Sequence, residues 1–416
     1  MDSNSQPVHL AMPGRPWPDT GLDIGQLRAK GWTPLPFTQF VVKIHSRCNL
    51  ACDYCYVYEM ADQSWQDQPV VMTEEVFTES CRIIGEHARA HGLTSVGLVF
   101  HGGEPLLAGH TRLATFARRA REMLQPITEL HLGMQTNGVL LDEQFLGICD
   151  RWDIQIGVSI DGDERGHDRH RRYRRGTGSY HDVVRGIELV RRREFRHLYS
   201  GLLCTIDTAN DPIETYAGLV KFAPPAIDLL LPHGNWNSPP PAKDITSTAT
   251  PYADWLIPIF DRWFDAPVLE TRVRLFDEII ELLLGGQGAA ESVGLAPMRL
   301  AVIETDGTLE QVDALKSAFA GAAKIRGTTG DNPLDNALWE PAMVARQIGA
   351  DALCDTCRNC PLHTVCGGGH YAHRYRPDTG FRNPSVYCGD LTALIHHIGA
   401  RIRGQLTAAA GPGTEP

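Results

Sequence analysis

The chain has 416 residues, 43% of them hydrophobic and 21% charged, with a formal net charge of −11. This globular balance excludes a disordered or membrane-embedded chain, and the negative charge argues against nucleic-acid binding through a general basic surface. The N-terminal stretch MDSNSQPVHLAMPGRPWPDTG lacks a basic start followed by an apolar core, and no run nears the ~18 apolar residues of a membrane span, so a cytoplasmic location is expected. In that setting eleven cysteines point to metal or cluster ligation rather than disulfides.

Residues 1–36 form an N-terminal extension, and from 37 to 232 short apolar runs alternate with amphipathic stretches. Strands are predicted over 40–45, 96–101, 130–135, 154–160, 198–206 and 227–231, and helices over 73–90, 111–124 and 180–193. Strands separated by helices imply βαβ units and a parallel sheet; six strands rather than eight leave a barrel open on one side. The expected fold is therefore α/β, a partial (β/α)6 TIM barrel. Residues 233–288 read as linker and helices, with HGNWNSPPP at 233–241, helices over 252–264 and 272–284, and GGQG at 285–288. Residues 289–400 form a further region with a hairpin signal, 301–305 and 308–312 around Asp306–Gly307, and five of the eleven cysteines. Residues 401–416 read as a disordered tail.

Cys48, Cys52 and Cys55 follow the first predicted strand in HSRCNLACDYCYVYE. Three thiolates in so short a loop suit a cubane iron–sulfur cluster, which takes four protein ligands, or three and a small molecule. A structural zinc site is the alternative, but it wants four ligands, and His45 is the nearest candidate for the fourth.

With Tyr54 in the aromatic slot before Cys55, this Cys-x3-Cys-x2-Cys segment resembles the radical S-adenosylmethionine (SAM) signature. The resemblance implies a [4Fe–4S] cluster on the three cysteines, SAM chelated at the open iron, and a 5′-deoxyadenosyl radical that abstracts hydrogen from substrate. Gly102, Gly103, Glu104 and Pro105 look like the family's GGEP element, whose backbone and glutamate contact the SAM amino group. Gln135 and Asn137 lie in a QTNG segment similar to the family's. By the same resemblance Ser159 and Asp161 bind the ribose and Arg171 the SAM carboxylate, a charge-assisted contact. All of these lie at the C-terminal ends of predicted strands, the face where barrel enzymes place their chemistry.

Further on, Cys357-x2-Cys360-x5-Cys366, with Cys388 after a gap, resembles the cysteine-rich SPASM domain of peptide-modifying radical SAM enzymes. By that likeness Cys357, Cys360, Cys366 and Cys388 hold a fully ligated auxiliary [4Fe–4S] cluster. His370 stands where the pattern has its next cysteine, the Gly-x4-Cys spacing from Gly307 reaches Val312, and residues 289–300 hold no cysteine. One auxiliary cluster is therefore expected, not two; Cys354 is an unassigned extra, and a zinc ribbon is the alternative for the region. Cys81, Cys149 and Cys204 fall in helical or strand patterns and read as core residues. In related sulfatase-maturing enzymes an aspartate after the corresponding cysteine serves as a base, which makes Asp313 the candidate catalytic base here.

The stretches WTPLPFTQFVVKIHSRCNLACDYCYVYEMADQSW, ETDGTLEQVDALK and VCGGGHYAHRYR look like the FxsB-type radical SAM/SPASM maturases. That resemblance implies a ribosomal precursor peptide as substrate, crosslinked from an aromatic ring carbon to a Cβ two positions later to give a three-residue cyclophane. It also implies an electron donor such as ferredoxin or flavodoxin. The alternative is a sulfatase-maturing activity that oxidises Ser or Cys to formylglycine. The chain has no HExxH motif, and about 40 residues before the first strand are too few for a separate precursor-recognition domain, so leader binding is expected on the barrel, the C-terminal region or a separate partner.

Overall fold

In this computed structural model residues 16–289, 291–326 and 332–410 are described. After a short helix α1 (Ile24–Ala29) come six strands and their crossover helices: β1 (Gln39–His45), α2 (Glu74–Ala90), β2 (Ser95–Gly102), α3 (His110–Leu124), β3 (Glu129–Thr136), α4 (Glu143–Trp152), β4 (Ile154–Ser159), α5 (Glu164–His170), α6 (Tyr180–Val190), β5 (Tyr199–Thr205), α7 (Pro212–Val220) and β6 (Ala226–Leu230). Helix starts are set by short acceptors. Thr73 accepts the Val76 N–H ahead of α2, and Asp142, Asp163 and Asp211 cap α4, α5 and α7 in the same way. Glu74 and Glu75 in the first turn of α2 complement its dipole.

The chain continues through α8 (Pro251–Phe264), β7 (Arg272–Val273), α9 (Arg274–Leu283), β8 (Leu300–Ile303) and β9 (Leu309–Glu310). Short helices α10 (Pro333–Ala337), α11 (Pro341–Ala345), α12 (Asp355–Arg358) and α13 (His363–Cys366) lead to the long α14 (Cys388–Ala410). One sheet orders the strands β7-β6-β5-β4-β3-β2-β1-β8-β9, every neighbour parallel except the β8–β9 pair. The six predicted strands form in sequential order, in an open parallel sheet of the partial-barrel kind. The hairpin signal also holds: Gly307 takes φ +88°, which only glycine adopts readily, and Asp306 accepts the Thr308 N–H at 2.9 Å.

Three features differ from the sequence reading. The hairpin is not separate from the barrel, because β8 pairs in parallel with β1, Val42 opposite Ile303. The predicted helix over 272–284 opens with the two residues of β7, which complete the sheet edge beside β6. The tail expected over 401–416 is helical to Ala410, extending α14 in a sequence rich in good helix formers, while 411–416 lie outside the described residues.

The core fills the space between sheet and helices. Phe77 of α2 stacks on Phe116 of α3 with ring centroids 4.2 Å apart, and Phe100 of β2 lies 6.1 Å from Phe77. All three are buried, each contributing about 1.5–3 kcal/mol of apolar transfer. A second, smaller core gathers Trp17 with Leu315, Tyr371, Tyr375 and Phe381, so the N-terminal extension packs on the C-terminal region. No helix among the described residues is long and apolar enough to cross a membrane.

Candidate active site

Every strand from β1 to β6 sends its C-terminal end, or the loop after it, into one cleft. Its walls include Cys48, Cys52, Tyr54 and Cys55 after β1, Gly102–Glu104 after β2, and Gln135 and Asn137 from β3 and its loop. Ser159 and Arg171 follow from the β4 side, Thr205 from β5, and Leu230–His233 from β6. Counting its open mouth, the cleft spans about 1030 Å³.

The cysteine loop is held on both flanks. The Ala51 N–H donates to Arg172 O at 2.7 Å, and Tyr58 Oη donates to Ser46 O at 3.0 Å. Arg47 folds back onto Ser46 Oγ at 2.7 Å and Trp65 O at 2.8 Å. Burial pushes the Cys48 and Cys52 thiols up to about 12 and raises Cys55 as well. Buried thiols of this kind stay protonated until a cation binds and takes the proton's place. Donors already point at the sulfurs: Leu50 N–H lies 3.4 Å and Asn137 Nδ2 3.6 Å from Cys48 Sγ. Three free thiols on one wall, with N–H groups aimed at sulfur and a guanidinium close to Cys52, suit an anionic iron–sulfur cluster. His45 is not among the cleft-lining residues, and its Nδ1 faces the Arg47 backbone, so it does not supply a fourth ligand to the site.

The two glycines of the GGEP segment are required by packing. A Cβ on Gly102 would lie 2.0 Å from His45 O, and one on Gly103 would lie 1.9 Å from Tyr58 Oη and 2.4 Å from Arg47 O. Gly103 N–H and Glu104 N–H donate to His45 O and Arg47 O at 2.9 and 3.0 Å. The segment thus fixes the cysteine loop as well as bounding the cleft. Glu104 is buried, and both its oxygens are committed: Oε1 accepts from Leu106 N–H and Thr136 Oγ1, Oε2 from Asn137 N–H. It splices the end of β2 to the end of β3, and Pro105 starts the short turn that it caps.

Asp161 shows a similar difference from expectation. It is 2% exposed and not among the residues that line the cleft. Its Oδ1 accepts from Thr205 N–H at 3.0 Å, and its Oδ2 accepts from Arg171 Nε at 2.8 Å and from the Tyr54 hydroxyl. Burial alone would raise the Asp161 carboxyl, but the Arg171 guanidinium outweighs it and holds it below the usual range. Asp161 thereby positions Tyr54 and Arg171, which do face the cleft. Gln135 Nε2 donates to Ser159 Oγ at 3.0 Å, joining β3 to β4 at the rim.

Asp313 sits in a buried ion network. Lys43 Nζ reaches Asp313 Oδ1 at 2.5 Å and Glu304 Oε1 at 2.6 Å, while Lys316 Nζ reaches Glu304 at 2.7 Å, Glu310 at 2.8 Å and Asp313 at 3.5 Å. Burial would raise the Asp313 carboxyl, but the two lysines bring it down to about 2. Two cations among three carboxylates leave one negative charge in excess. Burial raises Glu310, the carboxylate reached by one lysine alone, which favours its holding a proton. Asp313 does not itself line the cleft, but His101 and Tyr56 do, and both sense its charge.

In the C-terminal region Cys357, Cys360, Cys366 and Cys388 line one small cavity beside α13 and the start of α14. All are free thiols, and Cys354, at the cap of α12, lies against Cys357. Four converging thiols fit the four protein ligands of a closed cluster. Cys81, Cys149 and Cys204 are buried in the main core.

Several residues here escaped the sequence reading. His233, placed in a linker, is part of the cleft wall, and its position just beyond β6 was the only available signal. Asn49, whose Oδ1 accepts from Asn137 Nδ2 at 2.8 Å, and the buried Lys43 and Lys316 carry no motif at all.

The Radical SAM superfamily sequence profile matches residues 42–219. A serine-type anaerobic sulfatase-maturating enzyme from Bacteroides thetaiotaomicron is 24% identical over 308 residues, covering 69% of this chain and 72% of that protein. Native anSMEcpe with bound AdoMet and Cp18Cys peptide superposes with a TM-score of 0.72 at 19% identity, over 89% of this chain and 99% of that one. Streptococcus suis SuiB bound to precursor peptide SuiA gives a TM-score of 0.52 at 15% identity, over 86% and 77%. At these identities the two structures speak to fold alone, and their fold is this one. Sequence profile and architecture agree on a radical SAM enzyme with [4Fe–4S] and SAM as its cofactors, the match to the Radical SAM superfamily lying over residues 42–219.

Proposed function

We propose that this enzyme modifies a ribosomally made peptide, with a [4Fe–4S] cluster on Cys48, Cys52 and Cys55, SAM at its open iron, and an auxiliary cluster on Cys357, Cys360, Cys366 and Cys388. The observation that carries the proposal is that three thiols, two cradle glycines and an arginine meet in one cleft at the C-terminal ends of parallel strands. When bound, the cofactors supply a hydrogen-atom acceptor and an electron sink, so that joining an aromatic ring carbon to a Cβ removes one hydrogen atom, one proton and one electron from the peptide.

The chain's own residues have definable parts in this reading. Arg171 gives its Nε–H to Asp161, which leaves its terminal nitrogens for the SAM carboxylate in a fixed orientation. Tyr54 backs the same guanidinium, whose carbon lies 5.5 Å from its ring centre. Gly102, Gly103 and Asn137 line the wall that would receive the amino acid end of SAM, and Ser159 and Gln135 the rim that would receive its ribose. His101, which borders the cleft, is the group that takes up the departing proton, and buried Asp313 supports it as a fixed negative charge.

Crosslinking to a three-residue cyclophane is favoured by the three FxsB-like stretches, two of which meet through the Lys43–Asp313 ion pair. Formylglycine formation on Ser or Cys is the second reading, favoured by the names of the curated relatives. Mass change alone does not separate a crosslink from oxidation of serine, because each removes two hydrogens. The test is anaerobic incubation of the reconstituted enzyme with the peptide encoded by a short open reading frame beside its gene. A crosslink yields a product that is silent to aldehyde probes and gives no backbone fragments inside a three-residue ring. An aldehyde-reactive Ser or Cys site would establish the second reading instead.

A further inference from the structure

Among the described residues, three groups of side chains bring potential metal ligands together. In the first, His87 uses Nε2 to accept the Phe37 N–H and Nδ1 to meet Asp335, so its nitrogens are occupied. In the second, Glu304, Glu310 and Asp313 already have two lysine cations among them. The third is different. His233, His370 and His373 place one nitrogen each within 4.8 Å of one another, with no lysine or arginine among the described residues paired to any ring.

His233 Nδ1 and His373 Nε2 are 3.1 Å apart. Two nitrogens sharing a tetrahedral zinc ion at about 2.0 Å lie roughly 3.3 Å apart, so the spacing suits a common ion. It also suits a single N–H···N bond, but such a bond gives no reason for a third imidazole in the same place. The outer nitrogens, His233 Nε2 and His373 Nδ1, have no hydrogen-bond partner among the described residues. Glu291 Oε2 lies 3.4 Å from His370 Nε2 while its Oε1 pairs with Arg346, a carboxylate placed to orient that ring. The Ala372 N–H reaches His370 Nδ1 at 3.2 Å, so seating an ion takes one of these nitrogens from its present partner.

We propose that His233, His370 and His373 form a mononuclear site for a divalent transition metal of the zinc or ferrous type, separate from both cysteine clusters. Three protein ligands leave a coordination position open, as in sites that bind water or substrate rather than sites that only brace a fold. His233 belongs to the cleft wall, so an ion here borders the space where a peptide would lie. This assignment goes beyond the proposed peptide chemistry and does not depend on it.

The test uses the full chain with both clusters reconstituted anaerobically, desalted, exposed to zinc chloride in small excess and passed through a chelating resin. The expected result is one zinc retained per chain, with an X-ray absorption edge showing imidazole nitrogens at about 2.0 Å and no sulfur shell. His370→Asn with His373→Asn is expected to lose that zinc while cluster iron and sulfide stay at the wild-type level. No retained zinc, a sulfur shell near 2.3 Å, or undiminished zinc in the histidine variant would each overturn the proposal. If the variant also loses cluster iron, the wild-type spectrum decides alone, nitrogen against sulfur.

Discussion

Replacing Lys316 with methionine tests the buried ion network directly. Lys316 is 1% exposed and its ammonium contacts all three carboxylates, whereas Lys43 contacts only Glu304 and Asp313. Removing one partner of a buried ion pair costs about 3–5 kcal/mol, because the charges left behind are uncompensated. In a chain of this size that corresponds to a fall in melting temperature of roughly 3–6 °C. The pH dependence should also steepen near neutrality, where Glu310, raised to about 7 in the wild type, already loses stability as pH rises. In the wild type Asp313 has a folded pKa near 2, below its unfolded value, so its stabilising contribution is fully present above pH 3.8 and is lost as pH falls toward 2. Without Lys316 the carboxylates are expected to bind protons more tightly when folded than when unfolded, so stability should fall more steeply as pH rises from 5 to 8. Adding Glu310→Gln removes the carboxylate that Lys316 alone served and should recover most of the loss. Urea and thermal unfolding of the cluster-loaded proteins at pH 6 and 8 measure this. A Lys316→Met protein within about 1 kcal/mol of wild type, or with the wild-type pH slope, would refute the reasoning.

Three more outcomes are expected. Cys52→Ala should abolish reductive SAM cleavage and remove about four irons per chain, read by iron assay and 5′-deoxyadenosine formation, while the other cluster remains. Cys354→Ser should keep the full iron content, because Cys354 does not line the cavity shared by the other four thiols, whereas Cys360→Ser should lose the auxiliary cluster; equal iron loss in both would place Cys354 among the ligands. Gly103→Ala forces a methyl to within 2.4 Å of the Arg47 carbonyl, which is backbone and cannot step aside, so the cysteine loop must move. That variant should lose first-cluster iron selectively, and a variant retaining both clusters would show that the loop tolerates the shift.

The strands β1 to β6 and helices α2, α3, α6 and α8 were legible because their apolar residues repeat with periods of 2 and 3.6, and boundaries fell within about three residues. The cysteine loop, GGEP and QTNG were legible because each needs particular residue types in a short window. What could not be read is how these segments spend their polar atoms. Nothing local in the sequence says that Asp161 is consumed by Tyr54, Arg171 and the Thr205 N–H, or that Glu104 joins two strand ends. The Lys43–Asp313 and His233–His373 contacts bridge residues far apart in the chain, and neither lysine nor histidine advertises a partner at that distance. The pairing of β8 with β1 was hidden for the same reason: an apolar run reveals that it is a strand, not which edge it will join.

That last pairing bears on how the protein is made. One edge of β1 meets β2 soon after residue 102 is synthesised, but the other edge waits for β8, some 260 residues beyond β1 in the chain. At ribosomal speeds of about 5–20 residues per second, the edge carrying Phe40, Val41 and Val42 stays uncovered for tens of seconds. An apolar strand left open that long invites pairing with a neighbouring nascent chain. Fragments ending before residue 300 should therefore aggregate on expression, and full-length yield should depend on chaperones and slow synthesis, however well the cluster machinery is supplied.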